Sequence, residues 1–138
     1  MKNVTLFFLA LCCLGLVGCG KQDPIKAFVT ELDDTTADVV KKISSGDISA
    51  ARKAFDAEKG SLKEKFAALK KVPDGQVSKE AQEKFTASVK KDLEALDDAL
   101  AAHSVKKPSV EDKAESLKWV LEEDMLKRLS QDYHDIFK

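Results

Sequence analysis

The stretch 23-DPIKAFVTELDDTTADVVKKISSGD-47 sets a pattern that the rest of the chain repeats. Asp23 and Pro24 are typical of a helix start, because aspartate caps free backbone N–H groups and proline needs none at the first helical position. Gly46 and Asp47 end this helix and cap the next one. Between these signals, mostly apolar side chains recur every three or four residues: Ile25, Phe28, Val29, Leu32, Thr36, Val39, Val40 and Ile43. This spacing predicts an amphipathic α-helix.

Two further helices follow the same pattern. The second is interrupted at Gly60, but its apolar phase continues across the interruption, so we expect one helix. The third follows the turn VPDGQ at 72–76 and begins after the capping residue Ser78. Their expected inward positions are Ile48, Ala51, Phe55, Leu62, Phe66 and Leu69, then Ala81, Phe85, Val89, Leu93, Leu96 and Leu100.

A fourth helix is expected from about Val110 to the end of the chain, with Ser109 and Asp112 forming its cap. Its expected inward positions are Ala114, Leu117, Leu121, Met125, Leu129 and Ile136. Short connections make consecutive helices antiparallel. The sequence therefore predicts an all-α fold, an antiparallel up-down four-helix bundle over residues 23–138.

The fourth helix carries a second apolar line. Trp119, Leu126 and Tyr133 are spaced by seven residues, and Phe137 falls near the same line. The C-terminal half is thus apolar over about 180°, which is wider than a surface helix needs. Either the helix packs between two neighbours, or these four residues form an exposed face for a protein partner or for self-association. We take them as the candidate partner face.

The N-terminus carries an export pattern. After Lys2, the run VTLFFLALCCLGLVG covers residues 4–18, too short for a membrane span and suited to the apolar region of a signal peptide. Leu16, Val17 and Gly18 then precede Cys19. This end of the chain resembles a bacterial lipoprotein signal peptide with its lipobox. The alternative is an uncleaved membrane anchor, in which the glycines on either side of Cys19 are poor helix formers.

The resemblance implies cleavage between Gly18 and Cys19 and attachment of lipid to Cys19. Residues 1–18 are then the signal peptide, and residues 19–22 are the lipidated cysteine with a short tether. Because Gly20 rather than aspartate follows the cysteine, the resemblance implies the periplasmic face of the outer membrane. The inner membrane and the cell surface remain alternatives. Cys12 and Cys13 would be discarded, which leaves no free thiol.

So short a tether holds the bundle close to the membrane. In an up-down bundle the fourth helix returns to that end and brings Tyr133, Ile136 and Phe137 with it. These residues either touch the bilayer, where aromatic rings are favoured, or close the base of the core.

The charge pattern excludes several partners. The net charge is −1, and it becomes −2 when Lys2 is removed with the signal peptide. Acidic and basic residues are interspersed, with no basic stripe for nucleic acid and no polybasic patch for anionic lipid.

The sequence shows no catalytic or metal-binding motif, so we expect no enzyme, no cofactor and no metal site. The acidic runs at 33–34, 97–98 and 122–124 point in different directions on a helix and indicate solvated faces. His103 lies at the end of the third helix, where imidazole suits the unpaired carbonyls, although a haem or metal ligand is an alternative. His134 lies at the other end of the bundle.

These observations favour a membrane-anchored envelope lipoprotein with a non-enzymatic helical domain that engages a protein partner. A protective inhibitor or immunity-type lipoprotein is one form of this hypothesis. A carrier bundle for haem or lipid is the alternative, although Phe28, Phe55, Phe66 and Phe85 are large enough to fill the core.

Overall fold

The computed structural model of the protein describes residues 23–73, 75–109 and 111–138. Within these residues the chain forms four α-helices and a short 3-10 turn, and no strand. The all-α four-helix bundle predicted from the sequence is confirmed. The helices are α1 (Pro24–Ser44), α2 (Ile48–Leu69), α3 (Lys79–Ser104) and α4 (Lys113–His134), and the 3-10 turn is Asp135–Phe137.

Every helix starts at a side-chain cap. Asp23, Asp47, Ser78 and Asp112 each accept a hydrogen bond from a backbone N–H of the following turn, at 2.9 to 3.1 Å. Such caps satisfy N–H groups that have no partner inside the helix. The first three are the predicted caps. At α4 the cap is Asp112 itself, three residues after Ser109, so this helix starts later than the sequence predicted.

Two glycines play different roles. Gly46 has a φ of +84° between α1 and α2, a conformation that a residue with a Cβ rarely adopts. It therefore allows the tight reversal between the two helices. Gly60 lies inside α2, which continues through it without a break from Ile48 to Leu69. The prediction of one continuous helix is confirmed.

Phenylalanine side chains from different helices meet at one end of the bundle, which we call the proximal end. The ring centroid of Phe28, in α1, lies 5.8 Å from that of Phe66 in α2 and 5.7 Å from that of Phe85 in α3. Phe137 packs edge-on against Phe28 and Phe66. The start of α1, the end of α2, the start of α3 and the end of α4 therefore lie together, as in helices that alternate in direction. The opposite end is the distal end.

The four helices are unequally covered. Helix α1 lies between α2 and α3 and packs extensively on both, whereas α4 packs on α2 and makes only a small contact with α3. An ion cluster strengthens the α2–α4 contact: the Asp132 carboxylate lies 2.5 Å from Arg52 Nη2 and 2.7 Å from Lys59 Nζ. Helix α4 is thus the least enclosed element of the bundle.

The core follows the predicted apolar faces of the first three helices. Most of its volume is contributed by large side chains that are almost fully buried, which stabilises the bundle by removing apolar area from water. The buried apolar residues are Phe28, Leu32, Val39, Ile43, Ile48, Ala51, Phe55, Leu62, Leu96, Ala99, Leu126, Leu129, Tyr133 and Ile136.

The C-terminal residues close the base of this core. Tyr133 and Ile136 are buried, and Phe137 is half-buried against the phenylalanine cluster of the proximal end. Of the two alternatives given for these residues, closing the base of the core is the one that the burial of Tyr133 and Ile136 supports. In the part of the chain that the structure describes, no helix combines the length and apolar character needed to cross a membrane.

Candidate functional site

The predicted partner face does not lie on the surface. Leu126 and Tyr133 are 5 % and 0 % exposed, and Trp119 and Phe137 are half-buried. The prediction that these four residues form an exposed face is wrong, because the bundle uses this side of α4 for its own packing. Of the two interpretations of the wide apolar arc, the structure shows helix-to-helix packing.

The opposite side of α4 carries the exposed apolar surface. Leu117, Val120 and Leu121 are 63 %, 51 % and 58 % exposed, and we call these three residues the distal stripe. The spacing of three and four residues places them on one face of the helix. Leu117, Leu121 and Ala114 were expected to face inward, and this expectation is wrong: all three are exposed.

The offset between α4 and its neighbour explains this exposure. The ring of Phe55, near the start of α2, stacks on that of Tyr133, near the end of α4. The two helices run in the same direction, so the first half of α4 extends beyond the start of α2. Only the side of this half that faces α3 and the end of α1 is covered. The stripe on its other side stays largely exposed to solvent.

A polar cluster lies at the distal end, on the side of α4 opposite the stripe. The His103 ring is parallel to the Trp119 ring, with centroids 6.4 Å apart, and Lys107 Nζ lies 5.4 Å from the Trp119 centroid. His103 Nε2 is 3.9 Å from Glu122 Oε2, beyond hydrogen-bond distance. His103 thus occupies the predicted inward position at the end of α3 and packs against an aromatic side chain.

This cluster borders a shallow cleft of about 260 Å³ between the end of α1, the end of α3 and the start of α4. His103 Nε2 and Trp119 Nε1 are buried and have no hydrogen-bond partner among the described residues. The cleft is smaller than the usual 300 to 1,000 Å³ of small-molecule sites. Its volume is therefore small for a large cofactor such as haem.

The structure also brings together two carboxyl groups that the sequence did not pair. Asp92 of α3 is 4 % exposed and faces Asp33 of α1, whose Oδ1 accepts a 2.8 Å hydrogen bond from Ser88. Burial, followed by the neighbouring Asp33 carboxyl, raises the pKa of Asp92 from 3.8 to about 7, against the smaller opposing effect of Lys91. The description of Asp33 as part of a merely solvated acidic run is therefore wrong.

The same polar region extends to α4. The Tyr133 hydroxyl lies 3.3 Å from Thr36 Oγ1, and both residues are buried. Burial raises the pKa of Tyr133 to about 12; the Thr36 hydrogen bond acts against this rise, and the charge of Asp92 adds to it. With Asp92 almost wholly enclosed, a substrate has no access to it. These residues link α1, α3 and α4 inside the core.

The predicted lipidation and cleavage residues, Cys19 and Gly18, lie outside the described residues. Within residues 23–73, 75–109 and 111–138, no three histidine, cysteine, aspartate or glutamate side chains are grouped so as to hold a metal ion. The largest exposed apolar surface on α4 is thus the distal stripe.

The chain matches no protein-family model, no curated protein and no solved structure.

Proposed function

We propose that this protein is a lipid-anchored envelope lipoprotein whose helical bundle binds a protein partner through the distal stripe. The observation that carries the proposal is the exposure of Leu117, Val120 and Leu121 on one face of α4. These three large apolar side chains remain in contact with water. Covering them with a partner removes apolar area from water and so favours binding.

The position of the stripe suits an anchored protein. Asp23 caps α1 at the proximal end, four residues after Cys19, so a lipid on Cys19 would hold this end at the membrane. The stripe lies at the distal end. Helix α1 has 21 residues, so the two ends are separated by roughly 30 Å at 1.5 Å per residue. The bundle would therefore project the stripe away from the bilayer.

The spacing of the stripe indicates the kind of partner. Apolar side chains at positions i, i+3 and i+4 are what a helix offers to an apolar groove on another protein. Exposed charges flank them, including Lys118 and the Asp124–Arg128 ion pair. We therefore propose a protein with a complementary groove, located in the periplasm. The Gly20 sorting signal favours the outer membrane, with the inner membrane or cell surface as alternatives.

The domain is proposed to be non-enzymatic and without cofactor. A carrier function for haem has less support, because the cleft beside His103 holds only about 260 Å³. An inhibitor or immunity-type role falls within the proposal, since such proteins act by covering part of another protein.

The test uses a photo-crosslinking amino acid at position 121 of the full-length protein, expressed and irradiated in bacterial cells. The expected result is a crosslink to one envelope protein. The substitution Leu117→Ser in the same chain should abolish it. A crosslinker at position 90, on the exposed side of α3, should give no product, and Lys90→Ser should leave the crosslink from position 121 intact.

Two outcomes contradict the proposal. A crosslink that is insensitive to Leu117→Ser shows that the stripe is not the binding surface, and a crosslink to a second copy shows self-association instead. Mass spectrometry of the mature N-terminus tests the anchor separately. Acylated Cys19 is expected as the first residue, and Cys19→Ser should leave the precursor uncleaved.

A further inference from the structure

An apolar groove lies at the proximal end, beside the start of α1. It has a volume of about 380 Å³ and opens between α1, the end of α2, the loop after it and the start of α3. Its apolar lining consists of Ile25, Phe66, Leu69, Val72, Pro73, Val77 and Phe85. We call it the proximal groove. Apart from the exposed Pro73, these side chains are half-buried, so the groove leaves a concave apolar surface open to water.

The floor of the proximal groove is preformed. The rings of Phe66 and Phe85 lie almost parallel, 9° apart, with centroids separated by 6.4 Å. Beneath them Phe28 is fully buried and contacts both rings. This packing fixes the two rings of the floor in place, so binding costs no conformational entropy to order them.

The polar side chains that line the groove belong to exposed residues. Lys70, Gln82 and Thr86 contribute side chains there, and Lys70 Nζ is held 4.9 Å from the centre of the Phe66 ring. Thr86 Oγ1 donates to the carbonyl of Gln82 and is therefore already satisfied. A bound peptide would need partners for its own backbone groups, which an apolar lining does not supply. The lining suits a hydrocarbon chain.

The N-terminal segment ends next to this groove. Ile25 is the second residue of α1 and lines the groove, and Asp23 lies two residues before it. Three residues lie between Cys19 and Asp23. The four Cα–Cα steps from Cys19 to Asp23 span at most about 14 Å. A chain attached to Cys19 is therefore at high effective concentration at the groove.

We propose that the proximal groove holds one acyl chain of the lipid attached to Cys19. This inference rests on the proposed lipidation. The bundle is then docked on its own anchor, with α1, α2 and α3 around one chain while the remaining chains stay in the bilayer. The apolar surface of Phe66, Phe85 and Val77 is covered in this arrangement.

The test uses the full-length protein made in cells fed a fatty acid with a diazirine near its end and an alkyne tag. Membranes are irradiated, and the peptides that carry the tag are mapped by mass spectrometry. The expected product is an intramolecular adduct on peptides that contain Phe66, Leu69, Val77 or Phe85. Val77→Lys should lower the adduct about tenfold, because an ammonium group in an apolar groove is strongly unfavourable.

Matched controls separate the groove from the fold. Val105→Lys makes the same substitution in the loop between α3 and α4, at a valine that is 87 % exposed, and should leave the adduct unchanged. Val72→Lys tests a second apolar residue of the lining and should act like Val77→Lys. The melting temperature of each variant shows whether the bundle remains folded.

The outcomes distinguish the two proposals. If wild-type protein and Cys19→Ser are equally free of label, the lipidation fails and this inference fails with it. If wild type is labelled but all adducts are on phospholipids, on distal peptides or on a second copy, the anchor stands and the proximal groove is not the acyl site.

Discussion

The Tyr133 ring stacks on the Phe55 ring, with centroids 4.3 Å apart and planes 22° from parallel. This stack joins α4 to α2, and it decides which side of α4 belongs to the core. Tyr133 is fully buried, and its hydroxyl reaches Thr36 on α1. One side chain therefore connects three helices.

Tyr133→Phe should isolate the contribution of that hydroxyl. The ring stays in place, while the hydrogen bond to Thr36 is lost, so we expect a loss of about 1 kcal/mol in the free energy of unfolding. Tyr133→Ala should cost about 3 to 5 kcal/mol, because it also leaves a cavity beside Phe55. Urea denaturation followed by circular dichroism measures both. Equal effects of the two substitutions would show that the ring contributes nothing.

Two leucines of α4 provide a matched pair for the assignment of its faces. Leu126 is buried and Leu121 is exposed. Leu126→Ala should lower the free energy of unfolding by about 2 to 5 kcal/mol. Leu121→Ala should change it by no more than about 0.5 kcal/mol. If Leu121→Ala proves the more destabilising in urea titrations, the inward and outward faces of α4 have been assigned the wrong way round.

The raised pKa of Asp92 predicts an unusual pH dependence. Between its ordinary pKa of 3.8 and about 7, the folded state keeps a proton that the unfolded state releases. The contribution of this proton to the free energy of unfolding is therefore complete below about pH 4. It falls progressively as the pH rises from there and is lost once the pH has risen through 7.

Asp92→Asn should remove this dependence, because the amide is neutral at every pH. We expect the variant to be about 2 kcal/mol more stable than wild type at pH 8, with the difference shrinking at pH 5. Unfolding titrations at these two pH values measure the effect. Asp97→Asn, at an exposed position of the same helix, is the control and should follow the wild-type curve.

The Asp132 ion cluster predicts a pH dependence of stability opposite in sign to that of Asp92. Burial acts to raise the pKa of Asp132, but hydrogen bonds from Lys59 and Arg52 outweigh it and lower the pKa. Its stabilisation is thus present above the ordinary pKa of 3.8 and is lost as the pH falls through the lowered value. Asp132→Asn should cost about 1 to 2 kcal/mol at pH 7.

Asp124→Asn is the matched control for that experiment, because Asp124 pairs with Arg128 within the same helix and in solvent. It should cost less than about 0.5 kcal/mol. Thermal melts at pH 7 compare the two. Equal losses would mean that the contact between α2 and α4 gains nothing from the cluster.

Local sequence determined where the first three helices begin. The caps at Asp23, Asp47 and Ser78, and the reversal at Gly46, depend on neighbouring residues, so they could be read from the chain before any packing was known. The inward faces of α1, α2 and α3 could also be predicted from the sequence, because each helix has a single apolar stripe.

Helix α4 shows what only the tertiary structure decided. Its sequence offers two apolar lines, one through Leu117 and Leu121 and one through Trp119, Leu126 and Tyr133, and periodicity cannot rank them. The offset between α4 and α2 places the second line against the core and leaves the first line exposed. The pairing of Asp33 with Asp92 likewise depends on how α1 and α3 align. Sequence patterns report the period of one helix, whereas the face it buries depends on where its neighbours lie.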